Sequence, residues 1–104
     1  MAALSTAVTR VGDTTYIAVT GELDIATVPE LRELAYGELS EPNCRALVFD
    51  LGELAFVDST GVGCLVEIHQ HAAAQDQQVS IRNAAPRVRR VLEIGGMLKL
   101  FGAD

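Results

Sequence analysis

A near-continuous apolar run lies close to the middle of the chain and constrains the fold more than any other segment: Ala46-Leu47-Val48-Phe49-Asp50-Leu51. Its length and composition are typical of a central β-strand that is covered on both faces. Such a strand requires neighbouring strands and covering helices from the rest of the chain. With 104 residues, the chain is long enough for one hydrophobic core, so we expect a single domain over residues 1–104.

Two strand-like segments precede the apolar run. Residues 5–20 are rich in β-branched side chains, and Gly12-Asp13 supplies a turn between two alternating segments, which predicts a hairpin. Gly21-Glu22-Leu23-Asp24 is predicted to close the second strand as an acidic loop.

Three helix-like segments separate the later strands. The first has capping-box spacing at Thr27-Val28-Pro29-Glu30. Its predicted apolar face consists of Val28, Leu31, Leu34, Ala35 and Leu39. The predicted apolar face of the second helix consists of Val62, Leu65, Val66, His69, Ala72 and Ala73. The third helix begins at Pro86 and is expected to end at Gly95-Gly96.

Short strands at residues 79–81 and 98–101 complete the pattern, which gives the order β-β-α-β-α-β-α-β. Alternating strands and helices predict right-handed crossovers between parallel strands, and the opening hairpin adds an antiparallel edge. We therefore expect an α/β sandwich: a mixed β-sheet with helices packed mainly on one side.

The composition restricts the partners and the location of the protein. There are 14 acidic and 8 basic residues, a net charge of -6, so nothing electrostatic favours binding to nucleic acid or to an anionic membrane. No apolar stretch approaches the ~18 residues of a membrane span, and the amino terminus does not resemble a signal peptide. Cys44 and Cys64 lack metal-binding spacing and are expected to be reduced core residues. We expect a cytoplasmic protein.

Ser59 raises the question of catalysis. The Gly-x-Ser-x-Gly elbow of hydrolases is absent because Val57 occupies the first glycine position. His69 and His71 lie roughly 15 Å further along the predicted helix, at ~1.5 Å per residue, which is too far for a catalytic triad. Two residues apart, they also diverge and do not form a metal-binding pair. No nucleotide-binding glycine pattern is present. We expect a protein that is not an enzyme and holds no cofactor.

The joint between the apolar strand and the second helix has an unusual composition: Asp58, Ser59, Thr60, Gly61, Val62 and Gly63. Asp, Ser and Thr are preferred helix N-caps, so the joint is explained in part by capping. One cap would suffice, however, and Gly61 and Gly63 are expected to leave room for an anion beside the free N–H groups of the first turn. A phosphate on Ser59 would add about -1.5 to -2 charges there. The residues alone leave both interpretations open, a capped corner and a switchable surface serine.

This corner resembles the signature of the STAS family, and specifically of the bacterial anti-sigma factor antagonists: Asp-Ser-(Ser/Thr)-Gly-aliphatic-Gly after an apolar strand. Leu54-Ala55-Phe56-Val57 is similar to the segment that precedes the signature, and Gly21–Asp24 to the acidic loop of the family. Pro86–Leu92, followed by Gly95-Gly96, is similar to its third helix and turn. The resemblance covers roughly residues 5 to 101.

The resemblance implies a partner-switching protein. In this family the unphosphorylated antagonist binds an anti-sigma factor, which is itself a serine kinase, and so frees the sigma factor. The kinase phosphorylates the first serine of the motif, here Ser59, and a metal-dependent serine phosphatase reverses the modification. Thr60 is expected to be at most a minor acceptor. The free protein is expected to be a monomer.

The partner-binding face is expected to include a second segment. The strand before the acidic loop and the strand before Ser59 should end at the same edge of the sheet. We therefore expect one face made of Glu22, Asp24, Asp58, Ser59, Thr60, Gly61, Val62 and Gly63.

Two other functions stay open at this level. The same fold serves as a non-switching scaffold subunit in stress-signalling assemblies, and related domains are subunits of lipid or anion transport systems. The intact acceptor serine argues against transport, and a large homo-assembly would favour the scaffold. Family members usually continue into a final helix, whereas this sequence ends at Asp104, so that helix is expected to be missing.

Overall fold

A computed structural model describes residues 3–94 and residue 96, and the fold is given for this part of the chain. The elements are β1 (Leu4–Val11), β2 (Thr14–Leu23), α1 (Val28–Leu39), β3 (Ala46–Val57), α2 (Ser59–Ala73), β4 (Gln78–Arg82) and α3 (Pro86–Ile94). The predicted order is confirmed as far as α3. The predicted strand at residues 98–101 and Gly95 of the predicted helix stop lie outside the described residues.

The four strands form one sheet in the order β1-β2-β3-β4. β1 and β2 are antiparallel, and the turn that joins them contains Gly12 at a φ of 61°. β2, β3 and β4 are parallel, and a helix connects each of these strands to the next. The predicted mixed sheet with one antiparallel edge strand is confirmed.

The core lies on one face of the sheet. Ile17, Phe49 and Ile81 are neighbours across β2, β3 and β4, and all three side chains are buried. The helices add buried side chains to the same cluster: Leu31, Ala35, Leu65, Ile68, Val88 and Leu92. The expectation that the helices pack mainly on one side is therefore confirmed.

The prediction that the central strand is covered on both faces is wrong. Along β3, Leu47, Phe49 and Leu51 are buried, whereas Val48 and Asp50 between them are only half-buried. Because side chains alternate between the two faces of a strand, helices on one face leave every second residue on the other, open face. On the open face, Asp50 pairs with Arg82 at 3.3 Å.

The strands also extend further than predicted. Gly21-Glu22-Leu23 belongs to β2, so the predicted acidic loop begins only at Asp24. Gly52-Glu53 does not interrupt β3 either. The parallel pairing of β2 with β3 continues to their last residues and accommodates the extra length through two register shifts, between Ala18 and Thr20 and between Gly21 and Glu22.

The capping box predicted for α1 does not form. The hydroxyl of Thr27 instead donates to the carbonyl oxygen of Glu22 at 2.8 Å and accepts from the N–H of Asp24 at 3.0 Å. Thr27 therefore ties the loop to the end of β2, a tertiary contact that the local spacing does not show. The predicted apolar face of α1 is confirmed, with Leu34 packed only partly into the core.

The predicted apolar face of α2 is partly wrong. Its fully buried residues are Gly61, Cys64, Leu65, Ile68 and Ala72, whereas His69 is half-buried and Ala73 is exposed. The helix is thus rotated so that the small residues of its first turns face the sheet. Cys44 and Cys64 are free and buried, as predicted, and burial raises the pKa of the Cys64 thiol.

Candidate functional site

β2 and β3 end side by side, which places two loops at the same edge of the sheet. Leu23 pairs with Val57, and the N–H of Asp58 donates to the carbonyl oxygen of Leu23 at 3.3 Å. Asp24 and Asp58 therefore follow neighbouring parallel strands. The carboxyl ends of parallel strands are a common position for functional loops.

Asp58 is the N-cap of α2. Its Oδ1 accepts a hydrogen bond from the N–H of Gly61 at 2.9 Å, and its carbonyl oxygen accepts from the N–H of Val62 at 2.9 Å. Its backbone is extended, as is typical of an N-cap. The capping interpretation is confirmed for Asp58, which is sufficient to start the helix.

Ser59 and Thr60 are the first two residues of α2, and both are exposed. Neither hydroxyl makes a hydrogen bond within the part of the chain that the structure describes. Because Asp58 already caps the helix, these two side chains are not needed to start it. Their hydroxyls face solvent, and their backbone is held in the first turn of α2.

The two glycines of the corner have different roles. A Cβ at Gly61 would lie 2.7 Å from the carbonyl oxygen of Leu23 and 2.7 Å from Cγ2 of Val57. Gly61 therefore lets α2 approach the ends of β2 and β3, and its N–H is already bonded to Asp58. The prediction that Gly61 clears space for an anion is wrong. Gly63 is exposed, and nothing lies within 4 Å of its Cβ position.

Asp24 and Glu22 differ in how firmly they are held. Asp24 Oδ1 accepts hydrogen bonds from the N–H groups of Ala26 at 3.0 Å and Thr27 at 3.2 Å, so its carboxylate organises the loop that leads into α1. The half-buried Glu22 makes backbone bonds, but its carboxylate has no hydrogen-bond or ion-pair partner among residues 3–94 and 96. The carboxylate of Glu22 is therefore more available than that of Asp24 for contact with a binding partner.

Two large apolar side chains near this edge are exposed, and neither was identified from the sequence. Ile25 directly follows Asp24 and is 76% exposed. Phe56 is the neighbour of Glu22 in the sheet and is 44% exposed. Exposed apolar patches that are rimmed by polar residues are typical of protein-binding surfaces. The signal for Ile25 in the sequence was a large apolar side chain in the short segment between Asp24 and Thr27.

The histidines and cysteines considered in the sequence are not arranged as a metal site among the described residues. His71 is exposed on α2, and its ring lies 4.5 Å from the ring of Tyr36. Within the described ranges, no group of three or more His, Cys, Asp or Glu side chains is arranged to hold a metal ion. None of the described helices is long and apolar enough to cross a membrane.

The chain belongs to the STAS domain family, whose model matches residues 5–103. It is 32% identical over 85 residues to the anti-sigma-B factor antagonist of Staphylococcus aureus, a match that covers 82% of this chain and 78% of that protein.

Two solved structures share its fold. An anti-sigma factor antagonist from Mycobacterium paratuberculosis superposes with a TM-score of 0.86 at 24% identity, over 97% of this chain and 85% of that one. The Bacillus cell fate determinant SpoIIAA in its phosphorylated form superposes with a TM-score of 0.75 at 21% identity, over 96% of this chain and 91% of that one.

Proposed function

We propose that the protein is an anti-sigma factor antagonist that acts by binding rather than by catalysis. In its unphosphorylated form it binds an anti-sigma factor serine kinase, and the sigma factor is released. The observation that carries the proposal is the exposed hydroxyl of Ser59, which makes no hydrogen bond to the described residues and lies on a helix that Asp58 already caps. The named function of the Staphylococcus aureus relative supports the same assignment.

Phosphorylation of Ser59 by that kinase switches the complex off, and a metal-dependent serine phosphatase restores it. The hydroxyl of Ser59 makes no hydrogen bond to residues 3–94 or 96, so its modification breaks no hydrogen bond within that part of the chain. Thr60 is equally exposed but stands second in the motif. We assign it at most a minor part in the switch.

The phosphorylation site is tested by capturing the partner and mapping the modification. The protein is used as bait in a cytosolic extract of its own organism, with and without ATP, and bound proteins are identified by mass spectrometry. We expect a serine kinase to be captured. Incubation with that kinase and ATP should then modify unaltered protein and Thr60→Ala, whereas Ser59→Ala stays unmodified. Phosphopeptides that place the modification elsewhere, with Ser59 untouched, would refute the assignment.

The partner-binding face is proposed to join Glu22 and Asp24 to the six residues from Asp58 to Gly63. The parallel pairing of β2 with β3 supports this placement, since both segments follow strands that end together. Ile25 and Phe56 are proposed to supply apolar contact at the same edge.

Neutralising Glu22 or Asp24 tests this face. Glu22→Gln and Asp24→Asn are each expected to weaken kinase binding by roughly two- to tenfold, because each removes one charge that faces the partner. Asn at position 24 keeps an acceptor oxygen for the loop N–H groups, so the melting temperature should change by only a few degrees. Titration calorimetry measures the affinity. Glu41→Gln, at an exposed position just beyond the opposite end of α1, is the matched control and should bind normally. Unchanged affinity in both site variants would remove these residues from the face.

A further inference from the structure

We propose that the outer edge of β1 binds the same edge of a second copy of this chain, so that the two sheets join into one. β1, residues Leu4–Val11, is the terminal strand of the sheet, and no other described strand pairs with its outer side. The proposal does not depend on the proposed function.

Half of the backbone groups of β1 point outward. The carbonyl oxygen of Ala3 accepts from the N–H of Glu22, so odd-numbered residues direct their N–H and C=O groups toward β2. The Val11–Thr14 pair that closes the two-residue turn fits this alternation. The outward donors and acceptors therefore belong to the even-numbered residues: Leu4, Thr6, Val8 and Arg10.

β1 lacks the features that usually protect an edge strand from pairing. Its register with β2 runs without a shift from Leu4 to Val11, so no bulge twists the edge away. The strand contains no proline and no lysine. Its single charge, Arg10, is bound by both carboxylate oxygens of Glu38 at 2.9 and 2.8 Å, so it does not repel an incoming strand.

The pattern of outward groups favours a second copy in one register. A two-fold antiparallel junction requires one residue to lie opposite itself. With Ala7 at the axis, Thr6 lies opposite Val8 of the second copy, and Leu4 lies opposite its Arg10. This register uses all four outward residues of each strand, whereas an axis at Thr6 or Val8 leaves some unpaired. No charge faces a like charge, and only alanines meet at the centre.

The net charge of the chain affects how tightly the proposed dimer should form. Each copy carries a net charge of -6, so long-range repulsion opposes association. Salt screens such repulsion between exposed charges. We therefore expect a weak dimer that forms at high protein concentration and becomes tighter as salt is added, in place of the monomer that the sequence predicts.

A proline placed at an outward position tests the edge. Val8→Pro removes an outward N–H while leaving the β1–β2 ladder intact, and Val8→Ala is the control because it shortens the side chain but keeps the N–H. By sedimentation equilibrium, we expect the unaltered protein to approach twice the chain mass as concentration rises. Val8→Pro should raise the dimer dissociation constant by about tenfold or more, since each copy loses one hydrogen bond. Val8→Ala should have a much smaller effect.

A disulfide test reports the register. Residues opposite each other in a non-hydrogen-bonded antiparallel pair have Cα atoms about 4.5 Å apart, within the range of a disulfide. Ala7→Cys should therefore form covalent dimers readily on mild oxidation, whereas Val8→Cys, which faces Thr6, should do so much more slowly. A single-chain mass at every concentration and salt level would overturn the proposal, as would a dimer that Val8→Pro leaves unchanged.

Discussion

Phosphorylation of Ser59 is expected to weaken the complex with the anti-sigma factor kinase by about two orders of magnitude or more. A doubly charged group that is buried against a partner without a matching cation costs several kcal/mol, and each ~1.4 kcal/mol is tenfold in affinity. The first turn of α2 offsets only part of this, because its dipole stabilises a nearby anion by ~0.3–1 kcal/mol. Asp58 adds repulsion at the same corner.

Variants that add one charge separate the effect of a charge at Ser59 on kinase affinity from the effect of a charge elsewhere on the surface. Ser59→Asp should weaken binding in the same direction but less strongly, since it adds one charge and fewer acceptor oxygens. Gln70→Glu adds one charge at an exposed position further along the same helix and should leave the affinity nearly unchanged. Titration calorimetry with the captured kinase measures all four forms. Equal affinities for phosphorylated and unmodified protein would contradict the switch.

The second large effect concerns stability. Gly61→Ala is expected to lower the free energy of unfolding by roughly 1–3 kcal/mol, because the new Cβ would collide with the carbonyl oxygen of Leu23 and with Cγ2 of Val57. Neither group yields easily, since one is backbone and the other belongs to a buried side chain. Denaturant unfolding measures the change.

Gly63→Ala is the matched control for this prediction. It lies two residues further along the same helix, is exposed, and has open space at its Cβ position. Replacing a helical glycine by alanine there should raise the free energy of unfolding by up to about 1 kcal/mol, through helix propensity alone. If both variants gained stability, the close approach of α2 to the strand ends would not require Gly61.

The strand and helix order was predictable because it depends on local periodicity. The β-branched residues before Gly21 and the apolar run from Ala46 to Leu51 strongly favour strands, and their alternation with helices restricts the topology. Which side chains of β3 are buried could not be predicted from local periodicity. Val48 is apolar in sequence, yet its exposure depends on which face the helices cover.

Features that depend on tertiary contacts were missed or misassigned. The hydroxyl of Thr27 binds the end of β2 rather than its own helix. On α2, Ile68 rather than His69 is fully buried, as is Gly61, which lies against Leu23 and Val57 at the ends of β2 and β3. Sequence patterns identified the corner and three candidate caps in it, but they could not show that Asp58 is the cap, that Gly61 serves packing or that Ile25 is exposed.

The central claim is that the phosphate on Ser59 acts locally, through its charge, and leaves the fold unchanged. Backbone amide shifts of phosphorylated and unmodified protein, compared by nuclear magnetic resonance, test it most directly. Because Asp58 already caps α2 and the Ser59 hydroxyl makes no described hydrogen bond, we predict shift changes confined to residues 22–24 and 56–66. Widespread changes through β1, β4 and α3 would instead reveal a conformational switch and contradict the electrostatic account.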